Sequence, residues 1–238
     1  MEDLFEEVDE LLEEGQSLEA YQLLESGSSN KMSEKDKVGW LYRSAMACYT
    51  KACTEDVNKS RLEWLRKAHD HALEAHKLNG SNVDVLSVLC SATGKLAEDS
   101  NIYDKIKLGF EFLNYLNEAI ALQADSYEFL HMRGRLAYQV STLGTTERTI
   151  ARAIGCLPQT SLQQALEDLL AADNASPEEI ENVFFIGKTY DAMGDYKNAE
   201  IYLNKVLTIE SDPDCLVEQE YIEEAKEILN GSNYSKDS

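Results

Sequence analysis

The sequence predicts an all-α protein of tetratricopeptide-like type, a right-handed superhelical stack of about five helix pairs closed by a C-terminal capping helix. Its composition supports this first: the apolar fraction is 43%, Ala, Leu, Glu and Lys recur throughout, and 238 residues hold only 12 Gly and 3 Pro, the profile of a helical globular chain. A pattern of small residues at helical spacing then recurs from one end of the chain to the other. The last apolar stretch, Cys215 to Leu229, carries acids on the face opposite Val217, Tyr221, Ala225 and Ile228, as a closing helix requires.

The repeat is clearest over Val183 to Pro213. Val183, Ile186, Gly187 and Tyr190 follow the W-x-x-L-G-x-x-Y spacing of a first helix, and Ala199 with Leu203 follows the A-x-x-x-F step of a second. Gly187 and Ala199 are small where antiparallel helices must approach closely, and the large residues fill the layer around them. Gly194 and Asp195 supply the turn. The preceding pair shows Leu130, Gly134 and Ala137, then Ala165, Leu169, Ala172 and Pro177, separated by a long connection with a short helix expected from about Thr146 to Ile154 and a Thr160/Gln163 capping box. Upstream, Leu41, Ser44, Ala45 and Cys48 match Ala68, Ala72 and Ala75. Val83, Ser87, Cys90 and Gly94 match Phe112, Leu116 and Ala119, with an extended connection and a loop at Glu98–Asn101. Leu4, Val8, Leu11 and Gly15 with Ala20 and Leu24 begin the series. The expected organisation is one repeat domain over 1–230, with pairs at 1–34, 38–80, 81–124, 127–177 and 180–213, a cap at 215–229 and a disordered tail at 231–238.

Charge and motifs exclude several functions. A net charge of -22 repels phosphate backbones and anionic bilayers, so nucleic acid is not an expected partner. No apolar run reaches the roughly 18 residues a membrane helix needs, and the acidic start Met1-Glu2-Asp3 does not resemble a signal peptide; a cytoplasmic protein without an integral anchor is expected. Five cysteines without C-x-x-C spacing read as reduced, packing thiols. Gly187-Lys188-Thr189 lacks the earlier glycine of a phosphate-binding loop, Asn182 standing in its place. His69, His71 and His76 lack the i, i+4 spacing of a helical zinc site. No cofactor, metal or catalytic constellation is indicated, and the expectation is a binding protein rather than an enzyme.

One segment departs from the average. Between Glu128 and Glu167 there is a single acid, Glu147, against Arg133, Arg135, Arg148 and Arg152. Two readings follow: the arginines meet a partner, or they pair with the chain's own surplus carboxylates. On the first, Arg135, Arg148, Arg152 and Lys188 converge on an anionic group, with the short helix folded over the mouth of a groove. First-helix positions one turn from the small-residue column supply the groove lining: Tyr42, Met46 and Tyr49, then His131, Arg135 and Tyr138, then Phe184 and Lys188.

The residues Gly134-Arg135 and Tyr138, Glu147-Arg148, Gly155, Pro158, Ala165-Leu166, Pro177 and Gly187-Lys188-Thr189-Tyr190 resemble the regulator of microtubule dynamics family, over about Lys37 to Glu210 and most closely its short, anchor-free form. Leu136-Ala137 and Leu157-Pro158 depart from that pattern. The resemblance implies microtubule association, spindle organisation and chromosome segregation, with tubulin contacted directly or through a bridging protein. It leaves a second class open, a lipid-binding module holding an anionic lipid. An open groove favours a peptide segment, acidic or aromatic; a large enclosed apolar cavity favours lipid.

Overall fold

The computed structural model describes residues 1–27, 32–155, 157–213, 215–231 and 234, which form helices and, among the described residues, no strand. The helices are α1 (Glu2–Glu13), α2 (Ser17–Gly27), α3 (Glu34–Cys53), α4 (Asn58–Leu78), α5 (Val83–Glu98), α6 (Ile102–Leu122), α7 (Tyr127–Ser141), α8 (Thr145–Ala153), α9 (Leu162–Ala175), α10 (Ile180–Met193), α11 (Tyr196–Val206) and α12 (Leu216–Leu229). They fall into two compact units, Met1–Leu122 with Ile150–Cys156, and Gln123–Thr149 with Leu157–Ser238. In the first unit α1 packs on α2, α3 on α4 and α5 on α6; in the second α7 packs on α9, α10 on α11, and α12 on both α10 and α11. The boundary falls inside α8, after Thr149.

Capping residues decide where the helices begin. Ser33 accepts from the Asp36 amide at 3.1 Å and starts α3 at Glu34, four residues ahead of the expected start at 38, because a hydroxyl at this position satisfies a first-turn N–H that would otherwise have no partner. Asn82 does the same for α5 through the Val85 amide. For α9 the cap is Ser161, accepting from Gln164 at 3.2 Å, one residue beyond the expected Thr160/Gln163 box. Asn101 accepts from the Tyr103 and Asp104 amides and restarts the chain as α6, so the connection expected to be extended is only the turn Asp99–Asn101. At the α10–α11 turn Gly194 adopts φ 79°, a left-handed conformation suited to a residue without Cβ, and Asp195 caps α11.

The small-residue columns lie where the pairs meet. Leu41 packs with Ala75, Ala45 with Ala72, Cys48 with Ala68, and Val8 with Ala20 and Leu24; Ser44, Cys90, Leu116 and Ala119 are likewise buried. A Cβ on Gly134 would sit 2.7 Å from Leu169 Cγ and 3.1 Å from the Ala165 carbonyl oxygen, and one on Gly187 would sit 2.9 Å from Leu203 Cγ. Gly94 stands similarly against Phe112, at 3.3 Å. Cys48 and Cys90 fill these columns as small apolar groups, and burial, partly opposed by Lys67, pushes the Cys48 thiol up to about 12. Cys53 is exposed and Cys215 half-buried; Cys156, the fifth thiol, lies outside the described residues, as does most of the expected disordered tail.

Two glycine substitutions should have opposite signs. Gly187→Leu forces a large side chain against Leu203 and should cost about 1–3 kcal/mol or more. Gly109, within α6, has no heavy atom within 4 Å of an added Cβ, so Gly109→Ala should stabilise by roughly 0.5–1 kcal/mol. Thermal melts of both variants check the pair, with an expected shift of about 2–4 °C per kcal/mol for a chain of this size.

Candidate protein-binding face on helices α7, α10 and α12

In the second unit the first helices of successive pairs are tied to one another by polar side chains. Glu181, at the start of α10, is the centre. Its Oε1 accepts from Arg135 Nη1 of α7 at 2.6 Å and from the Tyr221 hydroxyl of α12 at 2.6 Å, while Oε2 lies 3.5 Å from His131 Nε2, an ion-pair separation longer than a hydrogen bond. Burial works against ionisation of this carboxyl, but His131, Arg135 and Tyr221 together outweigh it and hold Glu181 down at about 2. His131 is itself interior: Nδ1 is 3.0 Å from Asn182 Oδ1, and Asn182 Nδ2 donates to the Leu169 carbonyl at 3.0 Å. With its amide so oriented, Asn182 presents an acceptor, which places a hydrogen on His131 Nδ1.

An aromatic layer supports these charges. His131 stacks on Tyr127 with centroids 5.6 Å apart, and Phe185 meets His131, Tyr138, Phe184 and Tyr221 in tilted or edge contacts. The Arg135 guanidinium lies 5.3 Å above Phe185. Lys188 Nζ sits 5.2 Å from the Phe184 centroid, 5.7 Å from Tyr138 and 6.0 Å from Phe185, and donates to Glu224 of α12 at 2.7 Å. Burial raises the Tyr138 hydroxyl above its ordinary value, against a smaller opposing effect of Lys188.

The structure thus brings together His131, Arg135, Tyr138, Phe184 and Lys188, but not in the roles expected of all of them. Phe184 is 1% exposed and His131 7%: both are core residues rather than groove lining, because His131 is covered by Phe185 of α10 and Phe184 by Tyr221 of α12. The expected convergence of Arg135, Arg148, Arg152 and Lys188 on one anionic group is not seen. Arg135 is engaged by Glu181. Arg148 Nη2 donates to the carbonyls of Val140 and Ser141 at 3.2 and 3.1 Å, serving the C-terminal end of α7, where carbonyls lack helical partners. Arg152 is exposed on α8 and belongs to the other unit. Arg133 forks onto Asp168 at 2.8 and 2.7 Å, with Asp168 only 4% exposed. The reading in which these cations pair with the chain's own carboxylates is the one the geometry supports for Arg133, Arg135 and Lys188.

Tyr42, Met46 and Tyr49 line α3 in the first unit, half-buried against the small-residue columns. Tyr42 also lines an open cleft of about 610 Å³ with Val38, Gly39, Arg43, Leu78 and Asp84. Arg43 is held there by Asp9, at 2.8 and 2.6 Å, and by its position 4.3 Å above Phe5. Sequence reasoning did not find Glu181, Phe185, Tyr221 or Glu224. The signal available was their spacing: Glu181 precedes Lys188 by two turns, and Tyr221 precedes Glu224 by three residues, on facing helices.

A family model described as "Regulator of microtubule dynamics protein 1-3" matches residues 4–234. The chain belongs to this family. Regulator of microtubule dynamics protein 1 of Caenorhabditis elegans is 27% identical over 192 residues, covering 79% of this chain and 83% of that protein. Protein 3 of Bos taurus is 30% identical over 215 residues, and protein 2 of Macaca fascicularis 26% over 212; each match covers 87% of this chain but only 44% and 50% of those longer relatives. Among solved structures, MamA of Desulfovibrio magneticus RS-1 superposes with a TM-score of 0.59 at 18% identity, covering 89% of this chain and 96% of that one. A thermophilic tetratricopeptide protein of Thermus thermophilus, TTC0263, gives 0.56 at 14%, covering 94% and 98%. The fold is therefore all-α and tetratricopeptide-like. The family is one of microtubule regulators, and no described helix is long and apolar enough to cross a membrane.

The Glu181 network carries a pH signature. A carboxyl held below its ordinary 4.5 stabilises the fold fully above that value and loses the contribution as pH falls toward 2. With the side chain still 30% exposed, the contribution should be about 1–3 kcal/mol rather than the full shift. Unfolding free energies of the parent and Glu181→Gln, from urea titrations, should differ by that amount at neutral pH and draw together below about pH 4.

Proposed function

We propose that this chain is a microtubule-associated adaptor which grips a short acidic or aromatic segment of a protein partner, tubulin itself or a bridging spindle component, on the face formed by α7, α10 and α12, and acts in the cytoplasm and at the spindle in chromosome segregation. The observation that carries the reading is the Lys188 ammonium held over three aromatic rings on a first helix, in a family named for microtubule regulation. A cation held in place by the buried rings of Phe184 and Phe185, beside the half-buried Tyr138, suits the carboxylates of an acidic peptide.

Electrostatics limit how this can work. A charge of -22 is repelled at long range by the acidic surface of a microtubule, so contact is either local, through cations like Lys188, or made by a bridging protein. The cleft lined by Tyr42 is open and rimmed by Glu34, Lys35, Arg43 and Asp84, which suits a polar segment better than an acyl chain. Co-sedimentation with purified microtubules across a salt series tests the proposal. Pelleting at low salt that is lost as salt rises is the outcome expected for local contact, and pelleting that needs added cell extract indicates the bridged form. Absence from the pellet in every condition, extract included, would overturn it.

A further inference from the structure

The cations of the second unit differ in how firmly they are committed. Arg133 holds a buried carboxylate, Asp168. Arg135 shares Glu181 with Tyr221 and His131; removing it would leave a mostly buried carboxylate short of a partner, which is costly. Arg148 is occupied by main-chain carbonyls. Lys188 stands apart, because its carboxylate partner Glu224 is 46% exposed on the outer part of α12 while the Lys188 side chain itself is only 22% exposed. An ion pair at such a site contributes little and exchanges readily with solvent or with another carboxylate.

The rings make this exchange productive. Tyr138 approaches Lys188 from α7, and Phe184 and Phe185 from its own helix, all with centroids within 6.0 Å. Attraction between the ammonium and the ring faces persists when Glu224 swings away, so the cation stays in place without its carboxylate. Such a seat is preorganised: a new anion pays no cost to position it. The helix that brings Glu224 also brings Tyr221, three residues earlier, whose ring lies 5.1 Å from Phe184 and 6.2 Å from Phe185. Glu224 therefore shows what the Lys188 seat accepts, a carboxylate, beside a ring that α12 itself supplies.

We infer that Glu224 is a resident competitor in the Lys188 seat, and that a carboxylate side chain of an acidic partner peptide binds by displacing it while α12 remains docked. The inference rests on the adaptor reading above and names the regulation of the same face: anything that neutralises or withdraws Glu224 strengthens binding. Tyr221 stays with Glu181 throughout, since that contact belongs to the buried network.

The test uses the full chain and a fluorescent peptide of alternating Glu and Tyr residues, read by anisotropy at low salt. Glu224→Gln should tighten binding by about two- to fivefold, the range expected when an exposed ion pair is removed from competition. Lys188→Gln should weaken it by at least as much, Lys188→Arg should retain it, and in the Lys188→Gln background Glu224→Gln should bring no gain. Helicity and melting temperature verify that each variant is folded, and Glu200→Gln, at an exposed acid on α11, controls for a general change in charge. If the peptide binds the parent chain but Glu224→Gln does no better than Glu200→Gln, the competitor is wrong and the adaptor reading stands. If neither the parent nor Glu224→Gln binds the peptide, both are wrong.

Discussion

Close approach of paired helices across a column of small residues is the constraint on which the rest of this structure depends. Glycine within a helix costs roughly 0.5–1 kcal/mol relative to alanine, yet Gly134 and Gly187 occupy helix interiors. What they admit are Leu169 and Leu203, each fully buried, and burial of such a side chain contributes about 1.5–3 kcal/mol. The exchange favours glycine, and its geometric result is close approach of α7 to α9 at Leu169 and of α10 to α11 at Leu203. α7 and α12 each lie against α10, where Arg135 and Tyr221 reach the same carboxylate oxygen of Glu181.

That shared carboxylate explains the use made of positive charge. In a chain with 44 acids and 22 lysines and arginines, a cation finds an internal partner more easily than a foreign one. Arg43 ties α3 to Asp9 of α1, Arg61 ties α4 to Asp99 beyond α5, and Arg133 ties α7 to Asp168 of α9. These are bridges between neighbouring helices, and guanidinium suits them because its planar fork binds both carboxylate oxygens. Within the net basic segment Arg133 and Arg135 serve as such ties, while Arg148 caps main-chain carbonyls. On α10 the charge of Lys188 stays partly exposed, set among the rings of Tyr138, Phe184 and Phe185.

The repeat was legible in the sequence because it is written in residue size. Ser44, Ala45, Cys48, Ala68, Ala72 and Ala75 can be read as a column without knowing any contact, and all are buried. The short helix within the long α7–α9 connection was legible from the length of that connection, and lies at Thr145–Ala153. The site was less legible. Spacing places Phe184 and Lys188 on the same side of α10 but does not reveal that the adjoining first helices cover the one and leave the other partly open. Nor does a count of arginines distinguish a guanidinium that caps carbonyls, such as Arg148, from one that waits for a ligand. Glu181 escaped notice because it is one of many acids, and only three-dimensional neighbours separate it from the solvated ones.

The central claim, that glycine is retained to admit a leucine, is tested most directly by a double-mutant cycle at Gly187 and Leu203. Gly187→Ala places a Cβ against Leu203 and should destabilise, and Leu203→Ala should cost about 2–5 kcal/mol through the lost side chain and its cavity. Combined, the added methyl enters space that the leucine has vacated. Urea unfolding should therefore show the double variant to be more stable than the sum of the single effects by about 0.5–3 kcal/mol. Strict additivity, or a double variant worse than the sum, would mean that Gly187 is not held by its contact with Leu203 and would contradict the account.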